Sequence, residues 1–202
     1  MEIREKLLEA AARVFGETGY RGATTRRIAQ EAGVNEVTLF RLFGSKAELI
    51  LAAVHHAGDT VPRVTLPAEP VDPERELTGW ARGHLRHLSS VRALIRAALG
   101  EPDEHQELAT CGSQHPRRVG RQLKEYLVRL KELGLATAEF DPSVAAAMLM
   151  GTLFSDAMGR ELMPDVYAQT QADAAASYVR LFVNAIGARP AGAVATSVVQ
   201  SR

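Results

Sequence analysis

Apolar residues at Ile3, Leu7, Leu8, Ala11, Val14 and Phe15 recur at the three- and four-residue spacing of one helix face, with charged residues between them. Gly19 follows where a glycine can stop that helix. Thr24 then stands as an N-cap before a second helix that turns Ile28, Ala29 and Ala32 inward and closes at Gly33. Asn35 caps a third helix with Leu39, Leu42 and Phe43 on its buried side, and Gly44 ends it. Ser45-Lys46-Ala47-Glu48 reads as a capping box, so a fourth helix is predicted to begin there and run to about residue 56.

Pro62, Pro67, Pro70 and Pro73 then break the helical pattern and mark a linker or long loop over 59–73. Beyond it the pattern is helical again, with helices predicted at about 73–88, 90–99, 102–111, 117–133, 142–162 and 170–186. No strand-like alternation bounded by hairpin turns appears, and no internal repeat. Residues 188–202 are small, polar or weakly apolar without a helical face, and are expected to be disordered. The chain therefore reads as all-α, with a head at 1–56, a larger helical domain at 57–188 and a tail at 189–202.

The second and third helices fit a helix-turn-helix, which needs a small residue where the helices cross, a tight turn and apolar residues at fixed offsets. In RRIAQEAGVNEVTLFRLF, Ala29 is the small residue, and Gly33, four positions later, supplies the positive φ of the turn. Ile28, Ala32, Val34, Leu39 and Leu42 fall at positions facing a three-helix core. A plain helical hairpin is the competing reading, because amphipathic helix pairs mimic this pattern.

With those side chains inward, Glu36, Val37, Phe40 and Arg41 face out from the third helix, with Asn35 and Thr38 at its N-terminal end. In this motif that end reaches base edges in the major groove. Arg41 can pair with guanine O6 and N7 or with a phosphate, and Asn35 and Thr38 suit either base or phosphate contacts. Val37 or Phe40 can meet a thymine methyl, and Phe40 has the alternative of packing in the head's core. Glu36 either accepts from cytosine N4 or discriminates by repulsion. Thr24, Thr25, Arg26 and Arg27 open the second helix, where unpaired N–H groups and the helix dipole favour a phosphate. Lys46, first in its own helix, has the same opportunity or is a solvated surface lysine.

The run VFGETGYRGATTRRIAQEAGVNEVTLFRLFGSKAELI resembles the N-terminal signature of the tetracycline-repressor (TetR) family. The matching marks are Phe15, Gly19-Tyr20, Thr24, Ile28-Ala29, Ala32-Gly33-Val34, Thr38-Leu39, Phe43, Ser45-Lys46 and Leu49, within residues 3–55. The resemblance implies an all-helical homodimer, usually a repressor, that leaves its DNA when a small molecule fills the C-terminal domain. By position it implies DNA contacts at Thr24, Thr25, Thr38, Phe40, Arg41 and Lys46. Phe40 and Leu42 stand where the family commonly has a tyrosine or another polar aromatic group. Two phosphate hydrogen bonds are thereby lost, which shifts the burden to Arg41, Lys46 and the second helix.

In the larger domain, Ala147, Gly151, Ser155 and Gly159 form a stripe of small residues along one helix, joined by Ala172 and Ala176 on the last one. Small stripes let helices approach closely, either across a four-helix dimer interface or within one subunit. Trp80 and His84, with Met148 and Phe154, are candidates to line an apolar effector cavity, although methionines at helical spacing also serve as core filler. His84-x-x-His87 places two imidazoles on nearby turns, with Cys111 or Glu107 as further candidate ligands. Without a fixed third ligand no metal site is expected, and no cofactor. Cys111 lacks a partner cysteine for redox sensing.

Composition narrows the choice. Hydrophobic residues make up 46% and charged residues 24%, enough for a packed core and an ordinary polar surface. No apolar run reaches the roughly 18–20 residues that cross a bilayer, the first residues read as a helix and not a signal peptide, and one cysteine fits a reducing compartment. A cytoplasmic protein without membrane contact is expected. Net charge is zero, which argues against bulk attraction to nucleic acid, yet between Tyr20 and Lys46 five basic residues stand against two acidic ones. Nucleophile elbow, phosphate-binding glycine loop and paired acid–base set are all missing, so an enzyme is disfavoured. A helical adaptor that binds protein and no DNA is the other alternative. The sequence leads to a regulator that binds a near-palindromic DNA operator as a homodimer and answers to a small-molecule effector.

Overall fold

The computed structural model describes residues 2–59, 65–99 and 114–191. The backbone forms two compact units, Met1–Pro62 with Ser90–Pro116, and Arg63–Ser89 with Arg117–Arg202. Among the described residues every regular element is a helix, apart from one isolated antiparallel bridge between Ala136 and Ala188.

The first unit is built from α1 (Ile3–Gly22), α2 (Thr25–Ala32), α3 (Glu36–Phe43), α4 (Lys46–Asp59) and α6 (Arg92–Leu99). Leu7, Leu8, Ala11, Val14 and Phe15 of α1 are buried, as their spacing predicts. Gly19, at φ 68°, kinks this helix, one further turn follows, and the Ala23 N–H closes back on the Gly19 carbonyl at 3.1 Å. Thr24 caps α2 by accepting the Arg27 N–H, and Asn35 caps α3 by accepting the Val37 N–H. Gly33 adopts φ 67°, ψ 34°, so the Gly33 and Val34 N–H groups satisfy the Gln30 and Ala29 carbonyls at 3.1 and 2.9 Å. Ser45 caps α4 through the Glu48 N–H at 3.1 Å, and the helix runs to Asp59, beyond the expected end near residue 56.

Two expectations for this unit need correction. Leu42 is 41% exposed instead of facing the core, because α3 turns Leu39 and Phe43 onto the other helices. A linear boundary at 56 also leaves out α6, whose Leu94 belongs to the same apolar core as α1. A Cβ on Gly16 of α1 would lie 3.2 Å from the Ala93 Cβ, so a glycine is what allows the two helices to approach.

The second unit contains α5 (Pro73–Ser90), α7 (Gln114–Glu132), α8 (Pro142–Gly159) and α9 (Gln171–Ala185). Leu77, Trp80, Ala81, His84, Leu85 and Leu88 of α5 are buried at helical spacing, together with Leu123, Leu127 and Leu130 of α7 and Leu149, Leu153 and Ala157 of α8. Glu76 stitches the start of α5. It accepts the Val71 and Asp72 N–H groups, each at 3.0 Å, and the Tyr126 hydroxyl at 2.6 Å. Burial, and then Glu76, hold the Tyr126 phenol far above its ordinary pKa.

Asp156 of α8 is fully buried, and a charge there is tolerable only if paired. The Arg160 guanidinium donates to both its carboxylate oxygens at 2.9 and 2.7 Å, and the Tyr178 hydroxyl of α9 donates at 2.8 Å. Burial, followed by the hydrogen bond to Asp156, pushes the Tyr178 hydroxyl up to about 12. The helix expected over 142–162 stops at Gly159, since Arg160 also donates to the carbonyls of Tyr167 and Gln169 in the loop that follows. Residues at the start of the expected tail are tied down: the Arg189 N–H bonds to the Leu135 carbonyl at 2.8 Å and the Ala191 N–H to Val71 at 2.9 Å. The helix expected at 102–111, with Glu107 and Cys111, lies outside the described residues, as do residues 192–202.

Candidate nucleic-acid interface

The α2–turn–α3 pair presents a surface built by what it cannot bury. Ile28, Ala29, Ala32, Leu39 and Phe43 take the inner side. On α3 the outer side carries Val37, Phe40 and Arg41, at i, i+3 and i+4 and therefore neighbours on one face. Val37 is 72% and Phe40 46% exposed, which decides the alternatives for Phe40 against the core. Thr38 is half-buried beside them.

The hydrogen bonds sort the remaining candidates. The Thr25 hydroxyl donates to the Glu36 carboxylate at 2.5 Å, bridging the starts of α2 and α3. Asn35 and Thr24 each use an oxygen as a helix cap, which leaves the Asn35 amide nitrogen and the Thr24 hydroxyl proton available as donors. Arg27 is paired with Glu17 of α1 at 2.8 Å. Lys46 donates to the Tyr20 carbonyl, and its ammonium lies 4.1 Å from the centre of the Tyr20 ring. Arg26 and Arg41 are exposed and carry no ion pair among the described residues. Sequence reasoning missed the roles of Glu17 and Tyr20 in anchoring two of the expected phosphate-binding cations. Their separations from Arg27 and Lys46 are too long for any local pattern to show.

In the second unit the four candidate effector residues separate. Trp80 and His84 are buried and stack, with ring centres 5.4 Å apart and planes 14° from parallel. Met148 is 65% and Phe154 40% exposed, on the side of α8 away from Leu149 and Leu153, so they do not line an interior wall with Trp80. The small stripe divides likewise. Ala147, Gly151 and Ser155 of α8 and Ala172 of α9 are exposed, Ala176 is half-buried, and a Cβ on Gly151 would meet nothing within 4 Å. Gly159 is buried against its own chain: a Cβ there would fall 2.8 Å from the Tyr167 ring and 2.9 Å from Met163. Its packing is intramolecular because the loop after α8 folds back, with Tyr167 also hydrogen-bonded to Ser155 at 2.8 Å.

His87 is buried, which lowers its pKa. Among the described residues no group of three or more His, Cys, Asp or Glu side chains could hold a metal ion, and no helix is long and apolar enough to cross a membrane.

Comparison with known proteins meets this geometry. Residues 7–53 match the family described as bacterial regulatory proteins, tetR family, and residues 75–188 match the AefR-like transcriptional repressor C-terminal domain. The chain is 27% identical over 131 residues to the HTH-type transcriptional regulator YvkB of Bacillus subtilis, covering 65% of this chain and 69% of YvkB. It is 29% identical over 155 residues to the HTH-type transcriptional repressor NicS of Pseudomonas putida, covering 73% of this chain and 71% of NicS. In fold it is similar to the transcriptional regulator FadR of Bacillus subtilis, solved in complex with stearoyl-CoA. That likeness has a TM-score of 0.70 at 20% identity and covers 89% of this chain and 97% of FadR.

Proposed function

The chain belongs to the tetR family of bacterial regulatory proteins, and from that premise we propose that it is a sequence-specific DNA-binding repressor, released from its operator by a small-molecule effector. The observation that carries the DNA reading is the outer face of α3: Val37, Phe40 and Arg41 project together from a helix whose opposite side is locked into the head. Arg26 and Thr24 at the start of α2 add a cation and a hydroxyl donor where helix N–H groups favour phosphate. Thr25, Asn35, Glu36, Thr38, Arg27 and Lys46 complete the surface, the last two as cations already oriented by Glu17 and Tyr20. This is binding chemistry, and the reading is not of an enzyme. It acts where the DNA is, in the cytoplasm.

The exposed side of the second unit supports a homodimer. Val144, Met148 and Phe154 of α8 leave apolar area in water beside the small residues Ala147 and Gly151. Burying that area against a second copy would give a chain pair with two heads, and a two-fold pair suits a near-palindromic operator with two half-sites. The effector is proposed to be apolar and to meet the Trp80–His84 pair, an aromatic wall with a hydrogen-bonding group one turn away.

The test is selection of duplexes from a random pool by the full-length chain, followed by gel shift of the selected duplex in the presence of candidate compounds. The reading requires a retained, sequence-related set of duplexes and at least one compound that releases them while changing Trp80 emission. A chain that retains no duplex is not a DNA-binding regulator. Compounds that release DNA without altering Trp80 emission would move the effector elsewhere.

A further inference from the structure

Resting on the reading of the first unit as a DNA-binding head, we infer that α3 selects its operator through the C5-methyl groups of thymine in the major groove, met by Val37 and Phe40. These two side chains are 72% and 46% exposed on a helix of eight residues, and neither is a strong helix former. They lie at i and i+3, with Arg41 at i+4, on the side of the helix turned away from the buried Leu39. Placed there, they leave apolar area in water, a face for whatever the helix docks on.

The polar groups beside them narrow what that face reads. The Glu36 carboxylate, which would accept from cytosine N4, is drawn to the Thr25 hydroxyl at 2.5 Å. The Asn35 carbonyl oxygen, needed for a bidentate contact with adenine, accepts the Val37 N–H at 3.0 Å. Two acceptors that would read base edges are thus already engaged by partners in the head's own surface. The apolar group that the major groove offers is the thymine methyl. Arg26 and Arg41, exposed and without ion pairs among the described residues, complement the phosphates or a guanine flanking such a thymine. The positive charge of Arg26 and Arg41 beside that face, with Glu36 drawn to Thr25, complements a polyanion and points to duplex DNA.

The experiment uses the full chain and a duplex it has selected from a random pool, with affinity read by fluorescence anisotropy at one fixed salt concentration. Each thymine is replaced in turn by deoxyuridine, which removes the methyl group and leaves every hydrogen-bonding atom in place. Binding is expected to weaken about three- to fivefold at one or two positions in each half-site, the worth of burying one methyl group. At those positions Val37→Ala or Phe40→Ala should abolish the difference between thymine and deoxyuridine. Both side chains are exposed, so the variants fold, which circular dichroism checks. Deoxyuridine duplexes that all bind like the parent overturn the inference, as does a methyl effect that persists unchanged in both variants. Each of those results leaves DNA binding itself standing. A chain that selects no duplex fails both readings together.

Discussion

At the scale of single residues, the same charge does different work according to what the fold has already given it. Arg41 projects from α3 without an ion pair among the described residues, whereas Arg27 is held by Glu17 at 2.8 Å. Arg41→Ala is expected to weaken specific binding by about 1–3 kcal/mol if it reads a guanine, with the preferred base changing at that position. Arg26→Ala is expected to weaken binding to all duplexes alike and to flatten the salt dependence by about one phosphate contact. Titrations of both variants at several salt concentrations separate the two roles. If both bind as the parent does, α2 and α3 do not face the duplex. His87 gives a pH signature. Burial lowers its folded pKa below the unfolded value, so the unfolded chain takes up the proton first as pH falls. His87 therefore costs no stability above about pH 6.5, and stability drains away below it. The thermal midpoint should drop between about pH 7 and pH 5, and His87→Gln should shrink that drop, measured by circular dichroism on both proteins.

At the scale of elements, the angle between α2 and α3 rests on one backbone conformation. Gly33 sits at φ 67°, and a Cβ there would meet nothing within 4 Å. Gly33→Ala therefore pays no clash, and its cost is conformational, about 1–2 kcal/mol for an L-residue in the left-handed region. Denaturant unfolding should show that loss, and DNA affinity should fall with it if the turn relaxes toward another geometry. An alanine variant as stable as the parent would mean that the turn is not held left-handed. The Thr25–Glu36 hydrogen bond is a second tie between the same helices. It lies next to the proposed duplex, and it turns the Glu36 carboxylate toward Thr25.

At the scale of the whole molecule, two glycines on one helix separate folding from assembly. Gly151 faces open space in its own chain, whereas Gly159 is covered by Tyr167 and Met163. Gly151→Leu should keep the helicity of the second unit while shifting the chain from dimer to monomer in sedimentation, by about 1–3 kcal/mol of forced separation. Gly159→Leu should lower the thermal midpoint whatever the state of assembly, because its clash is internal. A Gly151→Leu chain that remains dimeric places the interface elsewhere. The exposed Met148 and Phe154 belong to the same face as Gly151, and they are better read with assembly than with the effector.

The division between sequence and tertiary structure runs along the range of the interactions. Helical periodicity in α1, the caps at Thr24, Asn35 and Ser45, and the turn at Gly33 were legible because each is set within a few residues by backbone hydrogen bonding and steric preference. The outward face of α3 was largely legible for the same reason, since Leu39 and Phe43 had to turn inward. Leu42 was misplaced because an eight-residue helix has an edge position that only its neighbours assign to core or solvent. The packing of α6 on α1, the anchoring of Arg27 by Glu17 and of Lys46 by Tyr20, and the covering of Gly159 by Tyr167 join residues far apart in the chain. Periodicity says that a helix has an apolar side, and it does not say which surface will cover it. That choice depends on how the helices pack together, so the tertiary structure alone decided which candidate residues were held inside and which were left on the surface.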